Sequence, residues 1–264
     1  MRVVIRGVSV LGPGMPDWES SRALLSGNAP YAPAPVALPA VEALPPAERR
    51  RTGPPVRLAL TTGLRALSAS GLDASQVCTV FTSSGGDGQV IHEICASLAT
   101  EERDVSPTRF HNSVHNAPAG YWGIALRSHT ASTSLCGFDW SFAAGLLEAC
   151  AQAATGGMPV LLISYDLPYP EPLHQARPVV GTLGVGLVLV PDGDGVAKLD
   201  VDIDAERSTC TTLDHPELEA LRQGNPTARA LPLLHALATL DGAPEQDVRI
   251  EYLDTSLRLR VTRK

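Results

Sequence analysis

The stretch "TSLCGFDWSFAAGLLEAC" (133–150) sets one cysteine, Cys136, just ahead of a run with the apolar spacing of a buried helix. A thiol at the first turn of such a helix meets unpaired N–H groups and the positive end of the helix dipole. Both favour the thiolate, the form that acts as a nucleophile. Asp139, one turn further on, opposes that ionisation unless a cation intervenes. The other reading makes Cys136 a small apolar residue kept for packing.

Other stretches invite chemistry and lack part of what it needs. "HNSVHN" (111–116) spaces His111 and His115 four apart, as on one helix face, but no glutamate follows His111 and no metal site is expected. "SSGGDG" (83–88) joins a strand to a helix, yet it has neither the GK[ST] ending nor GxGxxG spacing, so it reads as a tight turn. In "GTLGVG" (181–186) the glycines precede and enter a strand, the wrong side for a dinucleotide fingerprint. "DVDID" (200–204) alternates as a strand does, with its acids toward water. Tyr121, Trp122, Phe138 and Trp140 cluster in an aromatic-poor chain, as core or as a contact surface.

The elements that must position these residues alternate along the chain. Strands are predicted over 2–14, 76–84, 130–135, 159–166, 181–191 and 196–204, the last two joined by a "DGDG" hairpin turn. Helices are predicted over 17–27, 56–71, 89–102 (with Ile91, Ile94, Cys95 and Leu98 inside), 116–128 and 142–157. The 142–157 run is apolar almost all round, which predicts burial on every side. Residues 28–46 read as a Pro- and Ala-rich surface excursion, and beyond about 205 two helices and a terminal hairpin are expected. The order is that of an α/β layered domain.

Composition excludes several classes. The 44% hydrophobic and 19% charged content is globular, and a net charge of -7 with one short basic run, "ERRR" (48–51), argues against a nucleic-acid surface. Five cysteines without CxxC spacing fit neither a zinc ribbon nor a disulfide framework. "MRVVIRGVSV" does not read as a secretory h-region and no apolar run approaches the length of a membrane span, so no leader or span is expected and the expected location is the cytoplasm.

Six stretches, in order, resemble the N-terminal half of β-ketoacyl synthases of the thiolase-like superfamily. They are "RVVIRGVSVLGPG" with "WESSRALLSGNAPY", "RLALTTGLRALSASGLDASQVCTVFTSSGGDG", "FHNSVHNAPAGYWGIAL", "ASTSLCGFDWSFAAGLLEA", "GGMPVLLISYD" and "GTLGVGLVLV". The resemblance implies a thiolase-like layered fold: a single half with a mixed β-sheet covered by helices and a short C-terminal extension. Residues 1–205 would be the ketosynthase-like half, and 206–264 an extension packed on the same domain.

Cys136 sits where that family carries its nucleophile. The family's second half supplies two histidines and a glycine-rich oxyanion loop, however, and nothing like "HGTGT" or "FGFGG" occurs here. Only His215 and His235 lie in the tail. Where the family has small residues after its cysteine, this chain has Gly137, Phe138, Asp139 and Trp140.

The resemblance therefore implies a subunit similar to chain-length factors of bacterial type II polyketide synthases, the aryl-polyene type in particular. Such a subunit would pair as a heterodimer with a full ketosynthase and meet acyl carrier protein through that complex, with no cofactor of its own. Cys136 would hold a nucleophile's place without acting alone, and Phe138, Asp139 and Trp140 would gate an acyl tunnel. Asn112, His115, Asn116, Tyr121, Trp122, Ser132, Thr133 and Ser134 would meet the partner. Two other readings stay open: a stand-alone acyl-transfer enzyme using Cys136, and a scaffold with no contact to the acyl chain.

Overall fold

The computed structural model describes residues 1–205 and 208–264. The chain opens into β1 (Arg2–Leu11), a β-branched run buried along nearly its whole length. Asp17 caps α1 (Trp18–Leu25) by accepting the Ser20 amide. The 28–46 excursion has little regular structure, but it drops Val41 and Leu44 into the core before the single turn α2 (Pro46–Arg49). Pro54 and Pro55 start α3 (Pro54–Ser70) and a left-handed Gly71 stops it, the usual asymmetry of helix ends.

β2 (Cys78–Thr82) precedes α4 (Gly88–Leu98), α5 (Pro107–Asn112) and α6 (Ala117–Leu126). β3 (Ser132–Leu135), a 3-10 turn (Phe138–Trp140), α7 (Ser141–Gly156) and β4 (Val160–Asp166) follow. A loop holding α8 (Leu173–Ala176) leads to β5 (Leu183–Val190) and β6 (Ala197–Ile203). The chain ends with α9 (Pro216–Gly224), a 3-10 turn (Thr227–Ala230), α10 (Leu231–Thr239) and the hairpin of β7 (Glu245–Tyr252) with β8 (Thr255–Arg263).

Among the described residues the strands form one mixed sheet in the order β3-β2-β4-β5-β1-β6-β8-β7. β3, β2 and β4 are parallel, and the remaining pairs are antiparallel. β4 is buried at every position because both faces are covered. Val160 and Leu162 point into the core on the α7 side, while Leu161, Ile163 and Tyr165 join the α3 side. The glycines of "GTLGVG" serve that packing. A Cβ on Gly184 would lie 2.4 Å from Thr62 Oγ1, and one on Gly186 2.9 Å from the Ala66 Cβ, so the bare backbone lets α3 settle onto β5.

Three local expectations are corrected. β5 and β6 are not a hairpin: β1 is inserted between them and pairs with both, so "DGDG" carries the chain across a strand. The apolar residues of α4 are not inside, since Ile91, Cys95 and Leu98 are exposed and the helix buries no residue. Apolar spacing reports a face that avoids water, and among the described residues much of that face is left uncovered. Finally, α7 is buried on the sheet side only, with Ala144, Leu147 and Ala151 half-buried. The expected boundary at 205/206 falls on residues outside the described ones.

Candidate functional site

The parallel strands β3, β2 and β4 lie side by side, with Thr82 in register with both Leu135 and Ser164. Their C-terminal ends therefore release three loops at one place, where open α/β sheets gather their ligand-binding groups. The loop after β3 carries Cys136, the loop after β2 carries Ser83 to Asp87, and β4 ends at Asp166.

Cys136 is exposed, and its thiol donates to the Ser84 carbonyl at 3.3 Å. Contrary to the expected first-turn position, the 3-10 turn intervenes and α7 starts at Ser141, so the thiol stands off the helix N-terminus. Among the described residues no histidine hydrogen-bonds it. His115 donates from Nε2 to the neighbouring carbonyl of Ser83 at 3.0 Å, and His111 packs edge-on against Tyr121. Cys150, by contrast, is a core residue whose burial pushes its thiol up to about 12.

The turn after Cys136 is held by groups distant in sequence. Phe138 has φ +54, a left-handed conformation costing an ordinary residue about 1–2 kcal/mol. The guanidinium of Arg177 lies 3.5 Å from the centre of the Phe138 ring, and its Nη2 donates to Asp139 Oδ1 at 2.9 Å. A cation–π contact of about 0.5–1 kcal/mol and a partly exposed ion pair of similar worth together offset that cost. Arg177 is thus the cation that Asp139 requires if a thiolate is to stand nearby.

Asp166 is the hub beneath this surface and is fully buried. Its Oδ1 accepts from the Ser84 amide (2.8 Å), the Ser84 hydroxyl (2.7 Å) and the Ser83 hydroxyl (3.2 Å). Its Oδ2 accepts from Thr227 Oγ1 at 2.8 Å, and Thr227 in turn accepts from Ser164. Burial raises the carboxyl above its ordinary value, and the hydrogen bonds pull it part of the way back. The network ties the C-terminal region to the two loops that carry the site.

The expected contact residues divide. Tyr121 and Trp122 belong to the core on the α3 side, with Trp122 edge-on to Phe81. Asn112 is also buried, accepting from the Tyr121 hydroxyl and donating to the Arg51 carbonyl. These three back the surface and are not free to meet a partner. Asn116 and Ser132 are exposed, while His115, Thr133 and Ser134 are half-buried. His115, Asn116, Ser132 and Ser134 line a groove of about 540 Å³ beside β3, the last strand on its side of the sheet.

Next to that groove, Phe110 (68% exposed), Val114 and Ile124 show their side chains to solvent around an apolar depression. Ile91 and Leu98 of α4 are exposed as well. The two sheet edges differ in kind. β7 carries Glu245, Asp247, Arg249 and Glu251, the charged residues that keep an edge from pairing, whereas β3 is Ser-Thr-Ser-Leu with no charge. Asp166 and Arg177 were not singled out from sequence, and the apolar spacing of α4 was read there as a face turned inside. No helix among the described residues is long and apolar enough to cross a membrane.

A family profile described as "Beta-ketoacyl synthase, N-terminal domain" matches residues 18–248. No curated protein sequence matches the chain. Among solved structures it is similar to one titled as the ketosynthase ApeO in complex with its chain length factor ApeC from Xenorhabdus doucetiae. That match has TM-score 0.73 and 24% identity, covering 100% of both chains. It is also similar to the AntDE:AntF structure, a type II polyketide synthase acyl-carrier protein in complex with its ketosynthase bound to the hexaketide (TM-score 0.74, 12% identity, 100% and 99% covered). A third is the ishigamide ketosynthase/chain length factor (TM-score 0.72, 14% identity, 100% and 99% covered).

Proposed function

Since the chain belongs to the β-ketoacyl synthase family, we propose that it is a non-catalytic, chain-length-factor-type subunit that pairs with a full ketosynthase. The complex would extend acyl chains held on an acyl carrier protein in type II polyketide biosynthesis. This chain would form one wall of the acyl tunnel and set its length. The finer assignment, an aryl-polyene product, rests on the resemblance read from the sequence.

The observation that carries the proposal is the surface beside Cys136. An uncharged strand edge, unpaired among the described residues, runs next to the exposed apolar side chains Phe110, Val114 and Ile124 around α5 and α6. An open edge offers main-chain hydrogen bonds, and apolar side chains around it exclude water once covered. Asn116, Ser132, Thr133 and Ser134 would meet the partner directly, with His115 holding the Ser83 loop behind them.

The chemistry points the same way. Condensation needs a base within hydrogen-bond reach and donors for a developing oxyanion. Among the described residues the thiol of Cys136 is met by a carbonyl, which stabilises neither a thiolate nor an oxyanion. A ketosynthase partner would supply both. The similar structures, ketosynthases in complex with a chain length factor or with an acyl-carrier protein, support such partners here. We also take residues 1–205 as the ketosynthase-like unit and 206–264 as an extension packed on it, a reading that the β6–β8 pairing supports. The cytoplasm would keep the chain's cysteines reduced.

Cys136→Ala tests the non-catalytic role. In the purified complex with its ketosynthase, turnover and product length should stay within about twofold of the parent. A loss of a hundredfold or more, with the complex intact, would instead assign acyl transfer to this thiol.

A further inference from the structure

We infer that Arg177 is a positioning residue that holds the Phe138 ring at the tunnel wall and thereby sets the acyl-chain length the complex accepts. The inference rests on the proposed tunnel role of the turn after Cys136, and it adds a residue 41 positions beyond that cysteine, in another loop.

Four observations place it. Phe138, two residues past Cys136, keeps an apolar ring 53% exposed in a left-handed conformation, so its position is held from outside its own backbone. The only charged group over that ring among the described residues is the guanidinium of Arg177, which also bonds Asp139 in the same turn. One planar cation thus fixes two successive residues. The Arg177 Nε is buried and makes no hydrogen bond among the described residues, while the guanidinium carbon stays 3.5 Å from the ring centre.

The loop that brings Arg177 is itself tied down on both sides. Before it, the Tyr169 ring packs against Gly85 and Gly88, where a Cβ would come within 1.8 Å and 2.3 Å of that side chain. After it, Val180 donates to the Gly224 carbonyl, and Asn225 donates to the carbonyls of Val180 and Gly181. A planar guanidinium on an anchored loop locates a ring better than a flexible ammonium does.

Hydrogen exchange and product analysis, run on the same complexes, test this. The Trp140 amide bonds the Gly137 carbonyl and the Gly137 amide bonds Ser141 Oγ, so both report whether the turn is held. Arg177→Ala should speed exchange at these two amides about tenfold or more, with Arg177→Lys in between. Asp139→Asn loosens the same clasp from its exposed side and guards against a misfolded arginine variant. Arg177→Ala and Phe138→Ala should both shift the products toward longer chains. Unchanged exchange in the Arg177 and Asp139 variants overturns the inference. So does a product shift with Phe138→Ala that Arg177→Ala lacks, while the tunnel reading then stands. If Phe138→Ala leaves products unchanged in an intact complex, the tunnel role itself fails and this inference with it.

Discussion

Replacing Asp166 with alanine is expected to lower the unfolding free energy by about 3–5 kcal/mol, while asparagine at the same place costs little. Alanine strands the buried Ser84 amide and leaves the Ser83, Ser84 and Thr227 hydroxyls without their acceptor. Each stranded buried donor costs about 1–3 kcal/mol, and hydroxyls that turn to other acceptors recover part of it. At about 2–4 °C per kcal/mol for a chain of this size, the melting temperature should fall by roughly 10 °C. Asparagine keeps the Oδ1 acceptor and can donate from its nitrogen to Thr227.

The two variants also differ in pH response. The folded state holds the Asp166 carboxyl above its unfolded value because burial disfavours the charge. Its contribution is then full below about pH 3.8 and declines as pH rises through the higher folded value. Asparagine removes that decline. Denaturant titrations of the parent and the asparagine variant from pH 4 to 8 should show their stabilities diverging in favour of asparagine as pH rises. Parallel curves would mean that the carboxylate is as well solvated folded as unfolded.

The second large effect concerns the apolar surface. Val114→Asp combined with Ile124→Asp should weaken binding to the ketosynthase by about a hundredfold or more, while the free chain keeps its melting temperature. Both side chains are already half in water, so the isolated fold loses little by the exchange. In a covered interface each carboxylate would have to shed its hydration without a partner, a loss of about 2 kcal/mol or more per site. Two matched changes on the opposite side of the sheet, at the charged β7 edge, should leave binding within about twofold. Co-purification and a binding titration read both sets.

Much of the fold was legible because its local rules agree with its packing. Residues 159–166 read as a strand and form β4, and the helix expected to end at 71 stops at the left-handed Gly71. The mixed-sheet, thiolase-like α/β fold that the six motifs implied is the one seen. Where the reading failed, the deciding contacts were distant. "DGDG" has the composition of a hairpin turn, but nothing near it tells that β1 lies between the strands it joins. The α4 pattern was a true apolar face, and sequence spacing carries no information on whether this chain or another covers it.

The site divides the same way. Cys136 and its neighbours were singled out from type and position, while Tyr121, Trp122 and Asn112 are buried in the fold. Asp166 escaped notice because it closes an apolar strand and its partners lie near residues 84 and 227. Arg177 lies in a Pro-rich loop with no periodicity, and only the fold sets it over Phe138. Ser132, Thr133 and Ser134 were expected to meet a partner from the resemblance alone, and the sheet order is what makes their strand an edge.

The most direct test of the partner role is native mass spectrometry of this chain co-expressed with a full-length ketosynthase. A one-to-one heterodimer that survives purification, and that the Val114→Asp and Ile124→Asp pair dissolves, is the expected result. A chain that stays monomeric while the ketosynthase pairs only with itself would contradict the account.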